Sequence, residues 1–90
     1  MEFEWDDLKA ALNERKHGIA FPFAIQVFFD EERIEEADTR KYYGEPRWTA
    51  TGIVDGVELI VTYTVRENRI RLITARRASR HEREDYWKNR

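Results

Sequence analysis

The sequence predicts an α+β fold with two N-terminal helices, a small antiparallel sheet and one C-terminal helix. Three observations carry this expectation. Apolar residues at helical spacing occur between Leu8 and Phe28. Asp55-Gly56 separates two alternating stretches, the signal of a type I′ hairpin. Ser79-Arg80-His81-Glu82 matches a capping box ahead of a final helical segment.

Taken in order, Glu2–Trp5 can form a short first strand. Asp6 or Asp7 then caps a helix to about Lys16 or His17, with Leu8, Ala11, Leu12 and Arg15 on one face. Gly18 is the expected stop, and Lys16 and His17 suit the negative end of the helix dipole. Pro22 fits the first turn of a second helix, with Phe23, Val27 and Phe28 as its buried stripe and an end near Asp30. Residues 33–38 read as a short edge strand, and residues 39–46 as a loop. Arg47–Val54, Val57–Val65 and Arg69–Arg76 read as an antiparallel meander with turns at Asp55-Gly56 and Glu67-Asn68. On the middle strand, Val57, Leu59, Val61 and Tyr63 face one way and Glu58, Ile60, Thr62 and Thr64 the other. Strict alternation on the last strand puts Arg69, Arg71, Ile73 and Ala75 on one face and Ile70, Leu72, Thr74 and Arg76 on the other. Ser79 should open a helix to about Asn89. The helices are expected to cover one face of the sheet and leave at least part of the other open.

Composition bounds the chemistry. The chain is 41% hydrophobic, 38% charged and 13% aromatic, which suits one small core, so residues 1–90 are expected to form a single domain. Cysteine is absent, which removes disulfides, thiol catalysis, Cys-ligated zinc and iron–sulfur clusters. There is no run of apolar residues long enough to span a bilayer, and the acidic N-terminus lacks a signal-peptide layout. A cytoplasmic location is the expectation. Ser79, the only serine, is better placed as a cap than as a nucleophile. His17 and His81 sit in no ligand motif, so no metal or other cofactor is expected.

Charge is unevenly distributed. Residues 1–46 carry six Lys/Arg against twelve Asp/Glu (−6), and residues 47–90 carry ten against six (+4), which together give the net −2. Twelve of the 16 cations are arginine, the side chain that grips phosphate or carboxylate bidentately. Arg66, Arg69, Arg71, Arg76, Arg77 and Arg80 cluster around the last strand with one acid, Glu67, among them. Two readings stand open. The arginines pair with Glu58, Glu67 and the helix acids, or they form a polyanion surface with aromatic rings nearby to stack bases.

If such a surface cleaves RNA, no metal is required. A base takes the 2′-hydroxyl proton, arginines stabilise the crowded phosphate, and an acid protonates the leaving 5′-oxygen. Arg71 and Arg76 are the candidate anion stabilisers. They can share one phosphate only if the strand twists or bulges beyond Thr74. His17, Lys16, Tyr63 and Tyr86 are the candidates for proton transfer, with histidine alone titrating near neutrality by its ordinary chemistry. Arg47, Arg66, Arg69, Arg77 and Tyr86 are candidate substrate-binding residues.

Several segments resemble one family. They are Glu4-Trp5-Asp6, Lys9, Asn13, Lys16-His17-Gly18, Phe21 and Ala24; Gly44-Glu45, Arg47, Gly52 and Tyr63-Thr64; and Arg69-Ile70-Arg71-Leu72-Ile73-Thr74-Ala75-Arg76-Arg77-Ala78, Glu82-Arg83 and Tyr86. In this order, over nearly the whole chain, they resemble the BrnT-type toxins of bacterial type II toxin–antitoxin systems. The resemblance implies a RelE-like ribonuclease fold, RNA cleavage that stops translation, and a BrnA-like DNA-binding antitoxin whose complex with the toxin represses its own operon. An alternative is a module of the same fold that binds RNA or antitoxin with little or no catalysis.

Overall fold

The computed structural model describes residues 1–88. Its elements are β1 (Glu2–Glu4), α1 (Asp7–His17), α2 (Phe21–Ala24) continued by a 3₁₀ turn (Ile25–Phe29), β2 (Ile34–Ala37), β3 (Trp48–Val54), β4 (Val57–Arg66), β5 (Arg69–Arg77) and α3 (Arg80–Lys88). The expected helix end at Asn89 lies outside the described residues.

The expected architecture needs correction. The sheet is five-stranded and mixed, in the order β1-β5-β4-β3-β2, with β1 parallel to β5 and the remaining pairs antiparallel. Parallel pairing follows from chemistry at the first strand. Phe3 turns inward against Phe28, with ring centroids 5.3 Å apart, while Glu2 and Glu4 lie opposite Arg69 and Arg71. In place of a second full helix there is one α-turn that tightens into 3₁₀. Phe21, Ala24 and Val27 are all at most 1% exposed, a spacing of three that matches the 3₁₀ repeat. The tight turn lies close against β3 at Gly52, where a Cβ would come within 3.0 Å of Val27 Cγ1 and 3.1 Å of Val27 O.

The face of α1 is also the reverse of the expected one. Leu8 and Leu12 are 69% and 53% exposed, whereas Asn13 is buried. Polar satisfaction decides this. Beyond its pairing with β1, the outer edge of β5 is met by Asn13, whose amide donates to Ala75 O (2.9 Å) and Ile19 O (3.1 Å) and accepts from Ala75 N (3.0 Å). One side chain thus replaces a neighbouring strand at a buried edge.

Other local expectations hold. Asp6 caps α1 by accepting from Lys9 N at 3.0 Å, and Gly18 closes it at φ 72°. Asp55 and Gly56 both have positive φ, as the type I′ turn requires. Ser79 and Glu82 form the reciprocal capping box, Glu82 N donating to Ser79 Oγ (3.2 Å) and Ser79 N to Glu82 Oε1 (2.8 Å). The core lies on one face of the sheet, where Ala50, Leu59, Val61, Leu72 and Ala75 pack under Ile19, Phe21, Ala24, Val27 and Phe28. The C-terminal helix does not join that layer. It lies over the opposite face, where Trp87 Nε1 donates to Glu58 Oε2 (2.7 Å) and the buried Tyr86 donates its hydroxyl to Asp30. Asp30 also accepts from Ile53 N at 2.8 Å, so one carboxylate ties the 3₁₀ turn, β3 and α3 together.

Candidate functional site

A bulge in β5 aligns the key arginines. Tyr63 lies opposite Leu72 but Thr62 lies opposite Thr74, which leaves Ile73 as an extra residue. Alternation therefore resets. Arg69, Arg71, Thr74 and Arg76 share the face away from the core, and Ile70, Leu72, Ala75 and Arg77 share the other. The bulge precedes Thr74 rather than following it, which corrects both the expected parity and the expected bulge position.

Between α3 and the loop after β2, this second face holds a groove of about 530 Å³. Two cross-strand rows make its floor: Glu36, Thr49, Thr62 and Thr74 form one, and Ile34, Thr51, Ile60 and Arg76 the other. The C-terminal turn of α1 reaches its rim. Asn13 anchors the helix at Ala75, and the following turn brings Lys16 and His17 into the lining. Arg40, Asp38, Glu82, Asp85 and Tyr86 complete the walls.

The electrostatics are those of paired forks. Glu82 receives two bonds from Arg76, Nη1 at 2.7 Å and Nη2 at 2.8 Å. That contact, helped by the Ser79 cap, holds the Glu82 carboxyl down to about 2. Arg40 grips Asp38 through Nε and Nη2, both at 2.9 Å, and holds that carboxyl down to about 2 as well. The bonds Arg76 makes to described residues all run through Nη1 and Nη2, which leaves the Nε–H and one Nη2–H of a groove-lining guanidinium outside them. Lys16 and His17 form no ion pair among the described residues.

The remaining expected site residues are dispersed. Arg71 is on the same face as Arg76, but it lies opposite Thr64 while Arg76 lies opposite Ile60. At about 3.3 Å per residue their Cα atoms are about 13 Å apart. Glu4 draws Arg71 outward (Nη1–Oε2 2.8 Å) just as Glu82 draws Arg76 toward α3. Arg69 lies near Glu2 and Glu4, and Arg66 pairs with Glu45 at 2.8 Å. The acids that meet the arginine cluster are thus Glu2, Glu4, Glu45 and the helix acids Glu82 and Glu84; the helix acids were expected, whereas Glu58 and Glu67 are not among them. Arg77 is exposed on the core-face register. Tyr63 belongs to the core, stacked on Trp48 and edge-on to Phe28, with its hydroxyl donating to Glu35 Oε1 at 2.5 Å. Burial and that carboxylate hold the phenol protonated well above its ordinary range. Arg47 lies in a second groove, over the Tyr43 ring at 4.0 Å from the centroid.

Two parts of this region escaped the sequence reading. The threonine floor was visible as Thr49, Thr51, Thr62 and Thr74 on alternating strand positions, but only sheet register brings them together. The loop residues Arg40, Tyr42 and Tyr43 carried no periodic signal.

A family model described as ribonuclease toxin, BrnT, of type II toxin–antitoxin system matches residues 5–82. The chain belongs to this family. The match begins just after β1, runs from α1 through the start of α3 and includes Lys16, His17, Arg76 and Glu82 of the groove. Among curated proteins, none matches the chain. Membership in the BrnT family makes the protein a ribonuclease toxin with RNA as its target and an antitoxin as its partner. No helix of the described residues is long and apolar enough to cross a membrane.

Proposed function

We propose that the groove over the threonine floor is the ribonuclease site of this BrnT-family toxin and that it cleaves RNA without a metal ion. One observation carries the assignment: the last turn of α1 and the end of β5 meet at one groove, so Lys16, His17 and Arg76 line a common space. In that space His17 takes the proton of a ribose 2′-hydroxyl. The freed oxygen attacks the adjacent phosphorus, the bond from phosphorus to the 5′-oxygen breaks, and Lys16 returns a proton to that oxygen. The products are a 2′,3′-cyclic phosphate and a 5′-hydroxyl. Arg76 spreads the charge of the crowded phosphorus through its Nε–Nη2 edge while Glu82 holds the other edge in place. Arg71, about 13 Å away along the strand, binds a neighbouring phosphate together with Arg66 and Arg69, in competition with their own carboxylates.

Cleavage of this kind arrests translation in the cytoplasm. A BrnA-like antitoxin neutralises it by covering the open face and carries the complex to operator DNA. Residues 1–90 act as one toxin domain. A second reading, a binding module with weak catalysis, is favoured by one feature: Arg66, Arg69, Arg71 and Arg76 all face carboxylates in the free chain. Expression without antitoxin separates the two. Growth arrest with RNA fragmentation supports the enzyme, and growth without fragmentation supports the module.

A further inference from the structure

The loop after β2 carries a second groove that shares a wall with the first. Ala37, Asp38 and Thr39 line both, so the two grooves flank one loop segment. The two differ in chemistry. The first is floored by hydroxyls and edged by charge, whereas the second, of about 440 Å³, is faced by Tyr42, Tyr43, Pro46 and Trp48 with Lys41 and Arg47 at its edge.

Tyr42 is 92% exposed, more than any other large hydrophobic residue among the described residues. Its neighbour Tyr43 is fixed. The Tyr43 ring lies beneath the Arg47 guanidinium at 4.0 Å and within 5.3 Å of Lys41 Nζ, and its hydroxyl donates to Asp38 Oδ2 at 3.4 Å. Arg47 Nε is buried without a hydrogen bond, with the Glu45 carboxylate 3.6 Å away. A free aromatic face beside a fixed cation–aromatic stack, with the Lys41 ammonium at hand, matches an unpaired base with its phosphate.

We propose that this second groove is a base-stacking subsite for single-stranded RNA, with Tyr42 as the platform for a nucleobase near the scissile phosphate, Lys41 on its backbone and the Arg47–Tyr43 stack holding the loop in shape. The inference rests on the ribonuclease assignment of the first groove. It makes the loop at 39–47 a determinant of which nucleotide is accepted there. A paired base presents no free face to such a platform, so the subsite also selects unpaired RNA.

The test uses the full chain and 2′-O-methyl RNA oligomers, which lack the attacking hydroxyl, each with one 2-aminopurine. Wild type and Tyr42→Phe should quench the fluorophore on binding. Tyr42→Ala should abolish the quench and weaken binding about tenfold, the scale of one stacked base. On a mixed-sequence RNA, Tyr42→Ala should also flatten the distribution of cleavage positions. Equal quench and affinity in Tyr42→Ala, with binding still weakened by Arg76→Ala, overturns the subsite and spares the ribonuclease site. Intact RNA binding with weakened antitoxin binding in Tyr42→Ala assigns the groove to the protein partner instead. Failure of wild type to bind any oligomer overturns both assignments.

Discussion

Arg76 concentrates the account's chemistry in one side chain. Its fork grips the Glu82 carboxylate in the free protein, and in the proposed mechanism it also meets a phosphate during turnover, for which only a planar guanidinium has edges to spare. Arg76→Ala should cut RNA cleavage by about 100-fold or more, and Arg76→Lys should recover little of it, measured on variants matched by circular dichroism. The loss should fall on kcat more than KM, because the contact strengthens as charge builds on phosphorus. Asn13 is the structural counterpart. Asn13→Leu keeps the bulk but strands the Ala75 N–H and C=O, and should destabilise the fold by about 2–3 kcal/mol in denaturant melts. The sequence could flag Lys16, His17 and Arg76 as chemically apt, because residue type and charge are local. It could not show that Asn13 faces inward while Leu8 and Leu12 face out. That outcome depends on an unpaired strand edge supplied from 62 residues away. Tyr63 misled for a related reason. Its position on the apolar face of β4 was plain, but the Glu35 partner that keeps its phenol protonated comes from a different strand.

At the scale of elements, α3 is held to the sheet by its own start. Ser79→Ala removes the cap to Glu82 N and should cost about 1 kcal/mol, lowering the thermal midpoint while toxicity persists at a permissive temperature. Glu82 adds a pH dependence whose sign is fixed. Its folded carboxyl titrates near 2, below the ordinary value of 4.5, so the unfolded chain holds more protons between those values. Stability should be complete above about pH 5 and fall as pH drops through about 2. With about a third of the Glu82 side chain exposed, the contribution is discounted to about 1–2 kcal/mol. Acid titration of wild type against Glu82→Gln measures it, and identical acid limbs would remove Glu82 from this role. Turns, caps and the three meander strands were legible because each rests on a few adjacent residues. The 3₁₀ turn and the parallel β1 were not. One depends on contact with Gly52, and the other on Glu2 and Glu4 finding Arg69 and Arg71 across the chain.

Across the whole molecule, one face of the sheet makes the core and the other carries the groove proposed as the site. The bulge at Ile73 turns a strand with mismatched arginines into one that puts Arg69, Arg71 and Arg76 on the same face, spaced along it. An antitoxin that works by covering this face should slow hydrogen exchange over residues 66–77 and 36–42. Protection confined to residues 7–15, where Leu8 and Leu12 are exposed, would mean that inhibition acts at a distance from the groove. The central claim is that Lys16, His17 and Arg76 form a metal-independent ribonuclease site. Its most direct test is to incubate the purified chain and Arg76→Ala with naked RNA in excess chelator and to identify the new ends. The account expects cleavage by wild type to persist, with 2′,3′-cyclic phosphate and 5′-hydroxyl termini, and to collapse in the variant. Cleavage that stops in chelator, yields 5′-phosphate ends, or survives at full rate in Arg76→Ala would contradict it.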